Sequence, residues 1–406
     1  MTAHAVRSGA ALVLRVPAGQ VVTPADLRET VAILRAGAAR KTAFAFVGGG
    51  TELGFGNPPA RVDTLVRTER LKRVVEYAPS DMVVTVEAGL TLAALQRALL
   101  PQRQRLALDA PLPERATIGG LLATGSFGPR RARYGRLRDL IVGISIVRAD
   151  GEQVRGGGKV VKNVAGFDLP KLMVGSFGTL GMIVTATFRL HPLPESARWI
   201  RAGPLDAAQL RDIVVAVGAR QLEPAAYLAE RTDGRYVLYA LFEGFPSGVD
   251  EQVSALTELL AKRAIDCGVA GENVVAAIDE CARCRGELRL RISAPAACFE
   301  EVDRAALDPL QRTLEACSLA VYPSLGIAFA AGKVADASAT TEALVAARRF
   351  VEGLGGNLVL TEVPDSLEQV VDRFGTLPPS FGIMRRLKER FDPDRRLNPG
   401  RFAGGL

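Results

Sequence analysis

Residues 159–190 read KVVKNVAGFDLPKLMVGSFGTLGMIVTATFRL, and how this stretch folds decides how the rest of the chain is read. Its first half has the apolar spacing of a short amphipathic turn-helix. Gly175, Gly178 and Gly181 then follow at three-residue intervals, ahead of a strand carrying Ile183, Val184, Thr185 and Thr187. β-Branched side chains of that kind favour a pleated surface over a helix. Glycines so spaced leave a face of backbone without side chains, able to approach a phosphate, a ribose or a flat ring closely. The same pattern also suits a loop that merely needs unusual dihedrals. The stretch alone does not choose between the two.

Working outward, 406 residues exceed one ordinary core and predict two or three domains. A composition of 48% hydrophobic and 23% charged residues is that of a folded protein. No apolar run reaches membrane-spanning length, and the patch Ala10 to Leu14 is cut off by Arg15 before it forms a signal-peptide core. A cytoplasmic location is the expectation. Five cysteines, an odd number, suit a reducing compartment with free thiols. Cys281 and Cys284 form a single C-x-x-C, near only Cys267 and Cys298, and the chain has just two histidines, His4 and His191. Buried thiols are therefore expected in place of a Cys/His metal site. The formal charge of +7 comes from 51 basic residues, mostly arginine, scattered among 44 acids. No nucleic-acid-binding spacing appears, and the densest basic run, Arg130 to Arg138, reads as a cofactor-side or partner-side loop.

Toward the N-terminus, Thr23-Pro24-Ala25-Asp26 predicts a helix start with Thr23 as N-cap and Gly37 as its end. Thr42 to Val47 is a strand that runs into Gly48-Gly49-Gly50-Thr51. The G-x-G-x-x-G spacing of a Rossmann turn is absent, and Gly54, Gly56, Pro58 and Pro59 forbid the helix that should follow. A phosphate there would be held by a nest of backbone N–H groups. Val83 to Glu87 is a strand, and Thr91 caps a helix that Pro101 stops. After Ala110-Pro111-Leu112-Pro113 comes Thr117 to Gly128, TIGGLLATGSFG. Its glycines are too many for a helix interior and predict a backbone wrapped around a ligand, with Thr117 and Thr124 as hydroxyl donors. Leu140 to Ala149 is a strand, Asp150-Gly151 a type I′ turn, and Glu152 to Arg155 the return. Glycine density falls at His191 to Pro194, marking a domain boundary. Beyond it, helices around Ala207–Val217, Val249–Lys262 and Thr341–Gly353 alternate with strands, an α+β pattern with an antiparallel sheet covered on one face. A tail helix, Phe381 to Phe391, precedes Leu397-Asn398-Pro399-Gly400-Arg401-Phe402.

Taken in order, GGGT, TIGGLLATGSFGP, Tyr134-Gly135 with Asp139, NVAGFDL-x-x-LMVGSFGTLG and LNPGRF form a pattern. It resembles the FAD-binding domain of the vanillyl-alcohol oxidase superfamily, the PCMH-type fold. Within it, the smaller flavin subunits of bacterial glycolate oxidases are most similar. The resemblance is strongest over residues 42–192 and 380–402. It implies an α+β protein: an FAD-binding PCMH-type domain of two α/β subdomains over 1–194, a ferredoxin-like α+β cap over 195–378, and a segment 379–406 that packs back on the FAD domain. It further implies that Gly48, Gly49, Gly50 and Thr51 offer N–H groups to the FAD diphosphate. Thr117, Ile118, Gly119 and Gly120 would line the flavin end, and Ala123, Thr124 and Gly125 the ribityl and phosphate chain. Gly181 and Ile183 would meet the adenosine portion and Asn398 the isoalloxazine edge, with Pro111, Tyr134 and Gly135 completing the cofactor-binding set. No histidine stands in the loops that face the flavin, so the resemblance implies non-covalent FAD.

The departures carry as much meaning. Catalytic 2-hydroxy-acid dehydrogenases of this fold hold a metal and move a proton with histidines in H-x-G-D-G-N and E-H-G motifs. The corresponding strands here, Val321 to Gly332 and Leu358 to Pro364, contain no histidine, and only Glu362 ionises. No metal site is therefore expected, no catalytic residue is assigned, and His191 reads as a packed strand-end residue. The resemblance implies an FAD subunit of a multi-subunit glycolate (2-hydroxy-acid) oxidase, in electron transfer or assembly beside a catalytic flavin subunit and an iron–sulfur subunit. Such a subunit would be cytoplasmic, or peripheral at the inner membrane face through its partners. Two alternatives stay open. One is a self-sufficient dehydrogenase in which Arg130, Arg131 or Arg138 binds a carboxylate and Tyr134 or Glu362 transfers a proton. The other is a flavin-free scaffold.

Overall fold

The computed structural model describes residues 18–158, 167–367 and 371–406. The first eight residues of the decisive stretch, 159–166, the patch Ala10 to Leu14, and His4 lie outside the described residues. The chain divides into two compact units. The first comprises Met1–Phe127, Gly135–Pro192 and Leu377–Leu406, and the second Gly128–Tyr134 and Leu193–Thr376. No helix among the described residues is long and apolar enough to cross a membrane.

In the first unit, strands β1 (Gln20–Val22), β2 (Phe44–Val47) and β3 (Thr64–Arg67) form a parallel sheet in the order β1-β3-β2. Strands that run parallel in one sheet need a crossover, and the helix Leu27–Ala39 supplies it between β1 and β2, which flank β3. Its N-cap is Asp26 and not Thr23. The Asp26 carboxylate accepts from the Glu29 N–H at 2.9 Å. Gly37 does not end this helix either, because it lies inside it, where a Cβ would come within 2.3 Å of Cζ of Phe44. The glycine is there to admit that ring. The tail adds to the free side of β2: Leu397 bridges Phe44 in parallel, the Phe44 N–H donates to the Arg396 carbonyl at 2.7 Å, and the Asn398 N–H donates to the Phe44 carbonyl at 2.7 Å.

A second, antiparallel sheet holds β4 (Val74–Ala78), β5 (Val83–Glu87), β7 (Ile141–Val147), β8 (Gln153–Gly157) and β9 (Met182–Arg189) in the order β4-β5-β9-β7-β8. A two-residue pair, β6 (Gln104–Arg105) with β10 (His191–Pro192), stands apart from it. Along β9 nearly every residue is buried, as a central strand covered on both faces requires. The β7–β8 turn is not type I′. Only Gly151 has positive φ (+80°), its N–H donates to the Arg148 carbonyl at 3.0 Å, and Asp150 accepts from the Glu152 N–H. An Asp150 side chain that bonds forward supports a type I turn closed by a left-handed glycine.

Two threonine-capped helices rest on this sheet. Thr91 accepts from the Ala94 N–H and starts the helix Leu92–Leu99, as its sequence predicts. Thr117 accepts from the Gly120 N–H and starts the helix Ile118–Thr124, where the glycine count predicted irregular backbone. The cap, the buried Ile118, Leu121 and Leu122, and Gly125 in the left-handed region (φ +66°) outweigh the low helix propensity of two glycines. Each fully buried leucine stabilises by about 1.5–3 kcal/mol. The quoted stretch resolves into a five-residue helix Leu169–Met173 capped by Asp168, a turn with Gly175 and Gly178 at positive φ, and β9.

The second unit is built on one eight-stranded antiparallel sheet. Its strands are β11 (Ser196–Leu205), β12 (Ala226–Thr232), β13 (Arg235–Gly244), β14 (Cys267–Ala270), β15 (Leu288–Ser293), β16 (Leu314–Tyr322), β17 (Ile327–Val334) and β18 (Asn357–Glu362). They run in the order β14-β11-β13-β12-β16-β17-β15-β18. The helices Ala207–Ala219, Pro246–Ala261 and Ala337–Gly353 bury Leu210, Ile213, Leu256, Leu259, Leu344 and Val351 against one face. The sheet is not covered on that face alone. Tyr322, which alternates with the core residue Val321, donates its hydroxyl to Asp279 on the helix Glu272–Cys284, and Arg283 of that helix lies 4.7 Å from the Phe329 ring. The short segment Gly128–Tyr134 belongs to this unit, through the Tyr134 hydroxyl, which donates to Glu243 at 2.8 Å, and Arg130, which donates to Glu272 at 2.9 Å.

Candidate functional site

In the first unit the ends of β2 and β9, the helix Ile118–Thr124 and the tail surround an open cleft of about 880 Å³, counted with the solvent in its mouth. Twelve of the residues singled out by sequence line it together. They are Gly48, Gly49, Gly50 and Thr51 after β2; Thr117, Gly119, Gly120, Ala123 and Thr124 on the helix; Gly181 and Ile183 at the start of β9; and Asn398 from the tail. The other five lie elsewhere. Ile118 points into the core, and Gly125 closes the helix. Pro111 precedes the turn in which Leu112 accepts from Arg115 and Ala116. Gly135 turns at φ +81°, where a Cβ would meet Oδ2 of Asp139 at 2.9 Å. Tyr134 binds Glu243 within the second unit.

The backbone of the GGGT loop is unspent. The N–H groups of Gly48, Gly49, Gly50 and Thr51 find no acceptor among the described residues, although they border a partly enclosed cleft. Successive free N–H groups with one residue in the left-handed region, here Gly50 at φ +72°, make an anion nest. The TIGG segment is the opposite case. Its Ile118, Gly119 and Gly120 N–H groups already donate to the Leu90 carbonyl (2.9 Å), the Ala88 carbonyl (2.7 Å) and the Thr117 hydroxyl (3.4 Å). The Thr124 hydroxyl likewise donates to the Gly120 carbonyl at 2.9 Å. What Gly119 and Gly120 bring to the cleft is a surface without side chains.

The glycines themselves separate into two kinds. A Cβ on Gly49 would stand 1.6 Å from the Arg115 carbonyl oxygen, and one on Gly48 would stand 2.0 Å from the Thr117 hydroxyl. Both are required by the way the loop packs on residues 115–117, whatever the cleft holds. A Cβ on Gly120 would meet only the Thr117 hydroxyl, at 3.2 Å. The protein itself leaves that position open.

The lining also includes residues to which sequence reasoning gave no role in the cleft, among them Phe46 and Glu52 beside GGGT, Thr68, Ala88, Phe177, and Arg401 of the LNPGRF motif. Arg401 and Phe177 both stand within quoted motifs, but nothing local marks Phe177 for the left-handed backbone that it adopts, at φ +54°. Glu52 is held by the Ser126 hydroxyl at 2.7 Å. Arg401 donates to the Leu53 and Phe55 carbonyls at 2.9 and 2.6 Å and so braces the loop that follows GGGT. Asn398 braces the opposite pair. Its Nδ2 donates to the Phe177 carbonyl at 2.7 Å and its Oδ1 accepts from the Phe46 N–H at 3.3 Å. Beneath it, Lys388 and Asp392 form a buried ion pair of 2.7 Å. Burial pushes the Lys388 ammonium below the usual lysine range, against the opposing pull of Asp392.

The groups considered for acid–base work are engaged elsewhere. Glu362 pairs with Arg289 and Tyr134 with Glu243, both in the second unit. His191 is half-buried in the β6–β10 pair, just beyond the end of β9. Burial, then Arg189 and Arg105, hold its imidazole below the ordinary histidine range. Among the described residues, no three of His, Cys, Asp and Glu gather as metal ligands. Cys281 and Cys284 close the helix Glu272–Cys284 outside any disulfide and only partly buried, not fully buried as expected, and burial pushes the Cys317 thiol up to about 11.

Residues 18–157 match the FAD binding domain family. Among curated proteins, glycolate oxidase subunit GlcE of Escherichia coli is 34% identical over 185 residues, 45% of this chain and 51% of that one. D-2-hydroxyglutarate dehydrogenase of Xanthomonas citri is 34% identical over 45% of this chain and 39% of its own length. D-lactate dehydrogenase of Archaeoglobus fulgidus is 36% identical over 42% and 38%. The chain thus spans about half the length, or less, of these relatives. Among solved structures, p-cresol methylhydroxylase superposes with a TM-score of 0.73 at 17% identity, over 94% of this chain and 88% of that one. Alkyldihydroxyacetonephosphate synthase superposes with 0.72 at 18% identity, over 94% and 77%. Those likenesses establish the fold alone. The chain carries an FAD-binding domain, and a diphosphate with a flat ring system fits a cleft that offers free N–H groups on one wall and bare backbone on another.

Proposed function

We propose that this FAD-binding chain is the non-covalent FAD subunit of a multi-subunit 2-hydroxy-acid oxidoreductase acting on glycolate or a close relative. The observation that carries the reading is the cleft with its unspent GGGT donors, in a chain with relatives named as glycolate oxidase subunits and 2-hydroxy-acid dehydrogenases. Bound FAD supplies two-electron redox chemistry. The chain's own residues hold and orient it. The Gly48–Thr51 nest takes the diphosphate charge, the Gly119–Gly120 surface admits the ring system, and Asn398 sets the distance between the β2 end and the Phe177 turn.

The residues engaged elsewhere support the division of labour. Glu362 is paired with Arg289 and Tyr134 with Glu243, each within the second unit. A general base must reach the proton that it takes, so substrate oxidation falls to a sister flavin subunit, with an iron–sulfur subunit carrying electrons onward. The assembly sits in the cytoplasm or at the inner membrane face through its partners. The test is direct. The purified chain binds FAD, and anaerobic glycolate leaves its flavin absorbance unchanged until the partner subunits are added. Steady turnover of a 2-hydroxy acid by the lone chain would overturn the division of labour, and a chain that cannot take up FAD would overturn the whole reading.

A further inference from the structure

Among the described residues, Lys388 is the one charged residue of the largest fully buried side chains, and nothing in the proposed chemistry uses it. It sits on the tail helix Phe381–Phe391, and its ammonium spends all three protons on named acceptors. They are Oδ2 of Asp392 at 2.7 Å, the Thr179 carbonyl at 2.8 Å and the Leu397 carbonyl at 3.0 Å. Asp392 Oδ2 also accepts from the Leu397 N–H at 2.7 Å. The two carbonyls have telling neighbours. Thr179 follows Gly178 and Leu397 precedes Asn398, and both Gly178 and Asn398 line the cleft. A Cβ on Gly178 would stand 2.5 Å from Asn398 Nδ2, so these two walls already touch.

We infer that Lys388 and Asp392 are positioning residues for the cofactor cleft: one buried ion pair fixes the glycine turn 175–181 and the returning tail at a set separation. This inference rests on the reading of the cleft as the FAD site. A role confined to stability fits the site poorly, because a buried ion pair is often no better for stability than a well-packed apolar pair. What the ion pair adds is direction. Asp392 holds the ammonium in place, and the ammonium's hydrogen bonds fix two carbonyls on separate strands of chain, whereas apolar contact leaves them free to slide.

The test compares the full-length wild-type chain with the double variant Lys388→Met, Asp392→Asn. The variant removes both charges, keeps the apolar stem and retains an acceptor for the Leu397 N–H. FAD titration, apo-protein unfolding and the visible circular dichroism of bound flavin are measured for each. The expected result is a folded apo-protein with an unfolding midpoint lowered because the Thr179 and Leu397 carbonyls lose their donor, an FAD Kd weakened at least tenfold, and a diminished flavin dichroism band. A folded variant with Kd within twofold of wild type and an unchanged band overturns the inference and leaves the FAD site standing. A wild-type chain that binds no FAD brings down both. Should the variant not fold, hydrogen exchange on the wild type decides. FAD must slow exchange at residues 175–181 and 397–402 together, and slowing at only one, or at neither, overturns the inference.

Discussion

Gly120→Ala separates what the cleft demands from what the fold demands. Gly120 is the third residue of the helix Ile118–Thr124, and a Cβ there meets nothing but the Thr117 hydroxyl at 3.2 Å, a contact relieved by a shift of a few tenths of an ångström. Replacing glycine by alanine in a helix gains up to about 1 kcal/mol. The apo protein should therefore be unchanged or up to about 1 kcal/mol more stable. The new methyl group, however, enters the cleft. Overpacking of a closely fitted site costs about 1–3 kcal/mol, which corresponds to a loss of FAD affinity of roughly 5- to 150-fold. Gly119→Ala is the control. Its Cβ would stand 2.8 Å from the Ala88 Cβ and 3.0 Å from the Ala88 carbonyl oxygen, so it should destabilise the apo protein by about 1–3 kcal/mol. Urea unfolding of the apo proteins and FAD titration measure the two effects separately. A stable Gly120→Ala protein with wild-type FAD affinity would refute the placement of the cofactor against this helix.

Gly49→Ala, with a Cβ 1.6 Å from the Arg115 carbonyl oxygen, should cost about 3 kcal/mol or more in apo stability by urea titration, regardless of FAD. Tyr134→Phe removes the hydroxyl that donates to the buried Glu243, and should destabilise the second unit by about 1–3 kcal/mol. The single tryptophan, Trp199, lies in that unit and reports its unfolding by fluorescence, which should move to lower urea. Burial, then Arg189 and Arg105, hold the His191 imidazole below the ordinary histidine range in the folded protein. As pH falls through the unfolded value of about 6.5, the unfolded chain binds that proton more readily than the folded one. Stability should fall with pH there by up to about 1.4 kcal/mol per unit, and His191→Gln should flatten that part of the urea-midpoint profile between pH 7.5 and 5.5.

Local elements were legible wherever local chemistry decided them. The tail helix Phe381–Phe391, the strand Val83–Glu87 and the Thr91 cap stand where their own residues put them. Legibility failed where a distant contact decided. Nothing near Gly37 announces the Phe44 ring, and nothing in TIGG outvotes its glycines until Leu121 and Leu122 are seen to be buried. The cleft was legible as a set of backbone stretches, because glycine marks bare backbone. Which of those glycines serve the fold and which the opening was not, since Gly49 and Gly120 read alike until Arg115 is placed against one of them. Lys388 shows the limit most plainly. On a helix rich in exposed arginine it looks like another surface charge, and its acceptor Thr179 lies 209 positions away. Tyr134 and Glu243 are 109 apart, and no local rule joins them.

The bridge between Phe44 and Leu397 also sets a schedule. Phe44 leaves the ribosome roughly 350 residues before its partner does, and at about 5–20 residues per second that is an interval on the order of 20–70 s. Throughout it, one side of β2 has no strand beside it, and the entire second unit is made while it waits. An unpaired strand edge invites wrong partners. The wall that Asn398 completes closes only when the segment around Leu397 has been made, so a cofactor that depends on that wall cannot be taken up before it.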